Sequence, residues 1–333
     1  MKPGIWKYVL LVLKYAFAGG ILYYLLATGK LDLSKISEIL ERKTLVLHVV
    51  VSLVSIYALM ALRWFCLLQW QDVPATWTSV VRIQCIGIFF SSFMPGAVGG
   101  DLIKAYYIAQ ENRNHRTRAI LSIIVDRFVG LETLMIVSFV ALVVNYRLVL
   151  AQDSIRMMAI SIGLYLAASA IGLALIYSDS ARNWAGKINR FRVFRSLQNS
   201  DIVTRIFDAL NSYVHQKAKL LMVLGITVII DVIFVYIFFA IGREMGESSL
   251  SLSSYFTAVP LGILAMTLPI TPGGIGIGQG AFYAIFLLFG AASGSIGVTI
   301  ISVYQIIALP VNLCFIVAYI GDRAALRNVP PEA

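Results

Sequence analysis

The sequence predicts an all-α, polytopic membrane protein with about six full spans plus two re-entrant helical hairpins in an inverted repeat. Three observations carry that reading. The chain is 59% hydrophobic and only 13% charged, whereas a soluble domain needs about 25% charged residues to cover its surface. Apolar runs near the length of about 20 residues that crosses a bilayer recur along the chain. Two further apolar stretches are interrupted by Pro and Gly at corresponding places in the two halves.

The first run, Tyr8–Thr28, contains Ala16-Phe17-Ala18, which loosely resembles a signal cleavage site. Lys14 interrupts its apolar region and the run continues past the supposed cut, so it reads as a span. Lys30–Lys43 reads as a loop on the outer side, and Thr44–Leu68 as the second span. The next region, Trp77–Gln110, does not read as a simple crossing. Thr78–Ser92 is moderately apolar, with Arg82 and Gln84, and "SSFMPGAVGGDLIKAYY" follows from Ser91. Asp101–Gln110 would cover about 15 Å as a helix, half of a hydrocarbon core of about 30 Å. Two short helices joined at Pro95-Gly96 read as a hairpin that enters and leaves on one side; two crossings would give the same parity, so topology alone does not decide between them. Ala119–Tyr146 and Ile155–Tyr177 are full spans.

Ser178–Lys219 carries Arg182, Lys187, Arg190, Arg192, Arg195, Arg205, Lys217 and Lys219. That density of positive charge places the loop in the cytoplasm, and both termini with it. Val203, Ile206, Phe207, Leu210 and Val214 recur at helical spacing, which suggests an amphipathic helix on the inner leaflet facing anionic headgroups. No nucleic-acid module accompanies the net charge of +10. After the loop, Leu220–Gly242 is a span, and Leu252–Leu268 leads into "TPGGIGIGQGAF" and a second short helix. Ile296–Ile320 closes the set. One membrane domain therefore covers 1–333, with repeat units at about 44–146 and 220–320 flanking the basic loop at 178–219. Parity makes the second hairpin enter from the side opposite to the first.

Irregular backbone at membrane depth must be buried in protein or line a wet cavity. Interrupted helices in corresponding halves point to a transporter's binding site. The candidate tip residues are Pro95, Gly96, Gly99 and Gly100 in the first hairpin, and Thr271, Pro272, Gly273, Gly274, Gly276 and Gln279 in the second. Each second arm begins at a glycine-rich turn, where free amides and the positive end of the helix dipole face inward. Two such ends would form an anion site. The alternative is a pair of kinks that only let helices pack closely.

Ionisable residues inside spans are costly and usually functional. Asp101, Lys104, Asp126, Arg127, Arg82 and Asp231 are the candidates for lining a polar cavity. Structural roles compete: Asp101 as a helix cap with Lys104 as its neighbour, and Asp126 and Arg127 paired only for packing. Lys14 and Arg63 are expected to snorkel toward headgroups. Gln305 and Asn312 are weaker candidates that would hydrogen-bond across helices. His48, His115 and His215 are scattered, and Cys66, Cys85 and Cys314 lie in apolar segments. No metal spacing, nucleophile–base motif or nucleotide loop is visible, so the expectation is a non-enzyme without a cofactor.

"PGAVGGDLIKAYYIA" (Pro95–Ala109), "SIIVDRFVGLETL" (Ser122–Leu134) and "TPGGIGIGQGAF" (Thr271–Phe282) together resemble the flippase-like membrane domain of lysylphosphatidylglycerol synthases and its stand-alone relatives. The resemblance runs in order over nearly the whole chain. It implies movement of a lipid across the inner membrane, with re-entrant segments from both sides. The soluble aminoacyl-transfer domain of the synthases is not expected here. Relatives often carry an acidic residue where this chain has Gln279, with a basic neighbour where it has Gly278. That difference argues against an aminoacylated lipid, and for a lipid phosphate or a neutral or sugar headgroup. The expected substrate is an anionic phospholipid or a polyprenyl phosphate. The competing expectation is a non-transporting scaffold or accessory subunit that presents the basic loop to a lipid-modifying synthase or glycosyltransferase.

Overall fold

The computed structural model describes residues 5–94, 98–177 and 217–320. Its described helices are α1 (Ile5–Ala27), α2 (Leu33–Glu41), α3 (Lys43–Trp70), α4 (Trp77–Ser91), α5 (Val98–Glu111), α6 (Arg116–Val144), α7 (Tyr146–Ala151), α8 (Asp153–Tyr177), α9 (Lys217–Glu244), α10 (Leu252–Thr267), α11 (Ile277–Leu288) and α12 (Gly294–Cys314). Five stretches are long and apolar enough to cross a membrane: Lys43–Trp70, Arg113–Val144, Asp153–Ala174, Ala218–Glu244 and Gly294–Ile320. The sixth expected span falls on α1, whose opening side chains, Lys14 included, lie outside the described set. So do Pro95, Gly96 and the amphipathic stripe at 203–214.

The region read as a loop at Lys30–Lys43 contains α2. Asp32 caps it by accepting from the amides of Ser34 (3.0 Å) and Lys35 (3.3 Å), and Ile36 and Ile39 bury one face. Capping of this kind is worth about 1 kcal/mol.

The elements α3–α4–α5–α6 and α9–α10–α11–α12 have the same order, long–short–short–long. They also pack alike: in each set the two short arms pair, each arm leans on the long helix beside it in sequence, and the long helices touch. α3 lies along α9, and α10 lies along α6, so the two sets interlock. The α4–α5 hairpin is narrow because Gly87 and Gly100 meet at the crossing. A Cβ on Gly100 would stand 2.0 Å from Ser91 Oγ and 2.3 Å from the carbonyl oxygen of Gly87. At its base Glu111 bonds both Ser79 and Arg82. In the second hairpin Gly262 leaves room for the Phe282 ring. Phe282 stacks on Phe238 with ring centres 5.1 Å apart, and Phe286 meets Tyr255 edge-on at 5.4 Å. Aromatic pairs of this kind add about 0.5–1.5 kcal/mol each.

The tips of the two hairpins converge. A Cβ on Gly273 would lie 3.5 Å from the Ser92 carbonyl oxygen. Asn312 on α12 donates to Ser92 Oγ at 3.2 Å and accepts from the Tyr57 hydroxyl at 2.6 Å. Outward faces are apolar, with Val144, Leu164, Leu221 and Val317 all exposed. That surface suits hydrocarbon and not water.

Candidate functional site

A cleft of about 210 Å³ opens between α3, α4, α5, α6, α9 and the end of α10. Its polar lining includes Arg63, Gln84, Asp101, Lys104, Asp126, Arg127, Thr227 and Asp231. Lys104, Arg63, Asp126 and Asp231 are all buried. Such a concentration of ionisable groups inside an apolar bundle is costly unless they are paired or held for a ligand.

Two ion pairs organise the floor. Arg63 Nε donates to Asp126 Oδ1 at 2.7 Å, and Arg63 Nη1 donates to Thr227 Oγ1 at 3.2 Å. This ties α3 to α6 and α9. Gly130, one turn beyond Asp126, leaves the guanidinium its place; a Cβ there would touch Nη1 at 3.5 Å. Arg63 is therefore not a snorkelling residue. It is buried and faces the cleft, because its partner carboxylate sits at the same depth on α6. Arg127 Nε donates to Asp101 Oδ2 at 2.8 Å, with Nη2 on the same oxygen. Asp101 thus serves a second helix as well as standing in the first turn of its own.

Lys104 is held differently. Its stem passes over Gly87, where a Cβ would come within 2.7 Å of Lys104 Cγ. Its ammonium lies 4.2 Å above the Trp64 ring centre and 4.0 Å from Asp126 Oδ2. The latter distance exceeds hydrogen-bond reach. Trp64 is fixed in turn by its own N–H, which donates to Ser122 Oγ at 3.0 Å. Asp231, midway along α9, is buried, and its Oδ2 has no hydrogen-bond partner among the described residues.

Of the predicted site residues, Asp101, Lys104, Asp126, Arg127, Asp231 and Gly100 line this cleft. Arg82 does not: it pairs with Glu111 at the hairpin base. Gly99 packs against Met94. Gly99 and Gly100 allow close approach, Gly100 while also lining the cleft.

The second glycine turn is also outside the lining. Gly273, Gly274 and Gly276 have φ of 57°, 70° and 86°, a region that favours glycine. Gly274 packs on Met266, and Gly276 on Ala18 and Ile21 of α1. Thr271 is fully buried. Gln279 accepts from the Gly276 amide at 2.7 Å and donates to Gln305 Oε1 at 2.7 Å. The amides of Gly276, Gly278 and Gly280 are all spent within the chain. This turn therefore caps itself and offers none of those three donors to an anion. Only α10 brings the second hairpin to the cleft, through Ile263 and Thr267, and Pro272 takes no part in it. Gln305 and Asn312 bond across helices.

Sequence reasoning missed Arg63, Gln84 and Thr227 as lining residues. The signal for Arg63 was an opposite intramembrane charge, Asp126, in the neighbouring long span.

No curated protein matches the sequence. The family model described as Lysylphosphatidylglycerol synthase TM region matches residues 11–315, nearly the whole chain, and the chain belongs to that family.

Proposed function

We propose that the protein is a lipid translocase of the cytoplasmic membrane, moving a phosphate-bearing headgroup through the charged cleft while the acyl chains stay in the bilayer. The supporting observation is the cluster of six ionisable side chains from α3, α5, α6 and α9 on one cleft inside an apolar bundle. At about 210 Å³, it is smaller than the roughly 300–1,000 Å³ of pockets that enclose drug-sized ligands. It suits a headgroup and not a whole lipid.

Each residue has a task in this reading. The first turn of α5 contributes the positive end of its dipole beside Gly100 and Asp101. Lys104 and Arg127 supply the positive charge that meets the phosphate. Asp101 and Asp126 hold those cations in place, and Arg63 fixes Asp126. The two hairpins act as re-entrant elements from opposite leaflets. Rocking of one four-helix unit against the other exposes the cleft to each side in turn. No step calls for bond chemistry or a cofactor, so the protein acts as a carrier and not as an enzyme.

Reconstitution tests this. Purified protein in liposomes speeds the crossing of an acyl-labelled phospholipid, measured by quenching of the label from outside. Lys104→Met removes most of that acceleration while the protein stays folded. Crossing at the wild-type rate in the variant, or none with the wild type, would overturn the proposal.

A further inference from the structure

Asp101 is committed to Arg127, and Asp126 to Arg63. Two buried charges of opposite sign remain in the cleft. One is the Lys104 ammonium, whose carboxylate neighbour is 4.0 Å away. The other is Asp231, 4% exposed, with Oδ2 unbonded. No ion pair joins these two to each other among the described residues. A buried carboxylate whose Oδ2 accepts no hydrogen bond is expensive; Arg63, whose charge acts on Asp231, donates its hydrogen bonds to Asp126 and Thr227, so the Asp231 oxygen still lacks a donor. Its presence on the cleft wall is explained if a ligand brings the missing donor.

We infer that the headgroup is a zwitterion, a phosphate with a primary ammonium a few bonds away, and that Asp231 is the residue that selects it by accepting from the ammonium N–H. This deepens the translocase reading and rests on it. The cleft's three cations and three carboxylates sum to zero, so a neutral zwitterion leaves the balance intact. A purely anionic headgroup would instead face Asp231 with like charge and satisfy nothing there. The volume of about 210 Å³ equals that of about seven waters. It suits an ethanolamine-sized group rather than one lengthened by a sugar or an amino acid.

The test uses the wild-type chain and Asp231→Asn in liposomes, with acyl-labelled phosphatidylethanolamine, phosphatidylcholine and phosphatidylglycerol as probes. Wild-type protein should move the ethanolamine lipid at least roughly tenfold faster than the other two, the low end of what one hydrogen bond to a charged group is worth. Phosphatidylcholine separates charge from donation, because its quaternary nitrogen has no N–H. Asp231→Asn should erase the preference, bringing the ethanolamine lipid down to the glycerol lipid's rate. The inference fails if the wild type moves all three alike, or if the variant slows all three by the same factor. The wild-type ratio decides the matter even if the variant does not fold. Movement of no lipid by the wild type would sink the translocase reading itself, and this inference with it.

Discussion

At the scale of single residues, the chain separates charges that hold the fold from charges left for a ligand. Arg63 belongs to the first kind. Removing one member of a buried ion pair strands the other, at about 3–5 kcal/mol. Arg63→Met should therefore lower the thermal midpoint of the detergent-solubilised protein sharply. Arg63→Met with Asp126→Leu should recover part of the loss, because neither member of the pair is then left without the other. A double variant as unstable as the single one would show that the pair is not the cause. Asp231 belongs to the second kind, so Asp231→Asn should leave the midpoint unchanged or higher. From one sequence these roles look alike: Arg63 sits close enough to the end of its span to snorkel. Only the placement of Asp126 and Thr227 against it shows otherwise. Asp101, Lys104, Asp126, Arg127 and Asp231 were legible as cavity residues because intramembrane charge is rare whatever the fold.

At the scale of elements, the long helices followed from hydropathy and the two hairpins from their Pro and Gly. Helix ends were less legible. α5 starts at Val98, because Gly99 and Gly100 continue the helix where it presses on α4 and Met94. The use of the glycines was not legible at all. A run of Gly is equally suited to a phosphate, to a neighbouring helix or to left-handed backbone, and composition does not separate the three. Gly100 lies where α5 presses on α4 and also lines the cleft, and Gly273, Gly274 and Gly276 take left-handed backbone. Gly100→Val should push α4 and α5 apart at about 1–3 kcal/mol, and raise proteolysis of the first hairpin before that of the second. Gln279→Leu removes the acceptor for the Gly276 amide and should cost about 1 kcal/mol, seen in the thermal midpoint, without changing which lipid is preferred. A switch in preference would return the second turn to the site.

At the scale of the whole molecule, two four-helix units interlock through α3 on α9 and α10 on α6, and their hairpin tips meet beside Ser92. The Asn312–Ser92 bond, 3.2 Å long, crosses from one unit to the other. If the units rock, locking this contact must stop transport. Ser92→Cys with Asn312→Cys, in a chain whose Cys66, Cys85 and Cys314 are replaced by Ala, should move lipid when reduced and stall when oxidised. Equal rates in both states would rule out rocking at this contact.

The central claim is that the headgroup travels through the charged cleft, and photo-crosslinking tests it most directly. A phospholipid with a diazirine on its headgroup is activated in proteoliposomes, and the labelled peptides are mapped. Labelling should concentrate on the segments around Lys104, Arg127 and Asp231 and should fall severalfold in Arg127→Gln. Labelling confined to the lipid-facing surface of α8, or unchanged in that variant, would contradict the account.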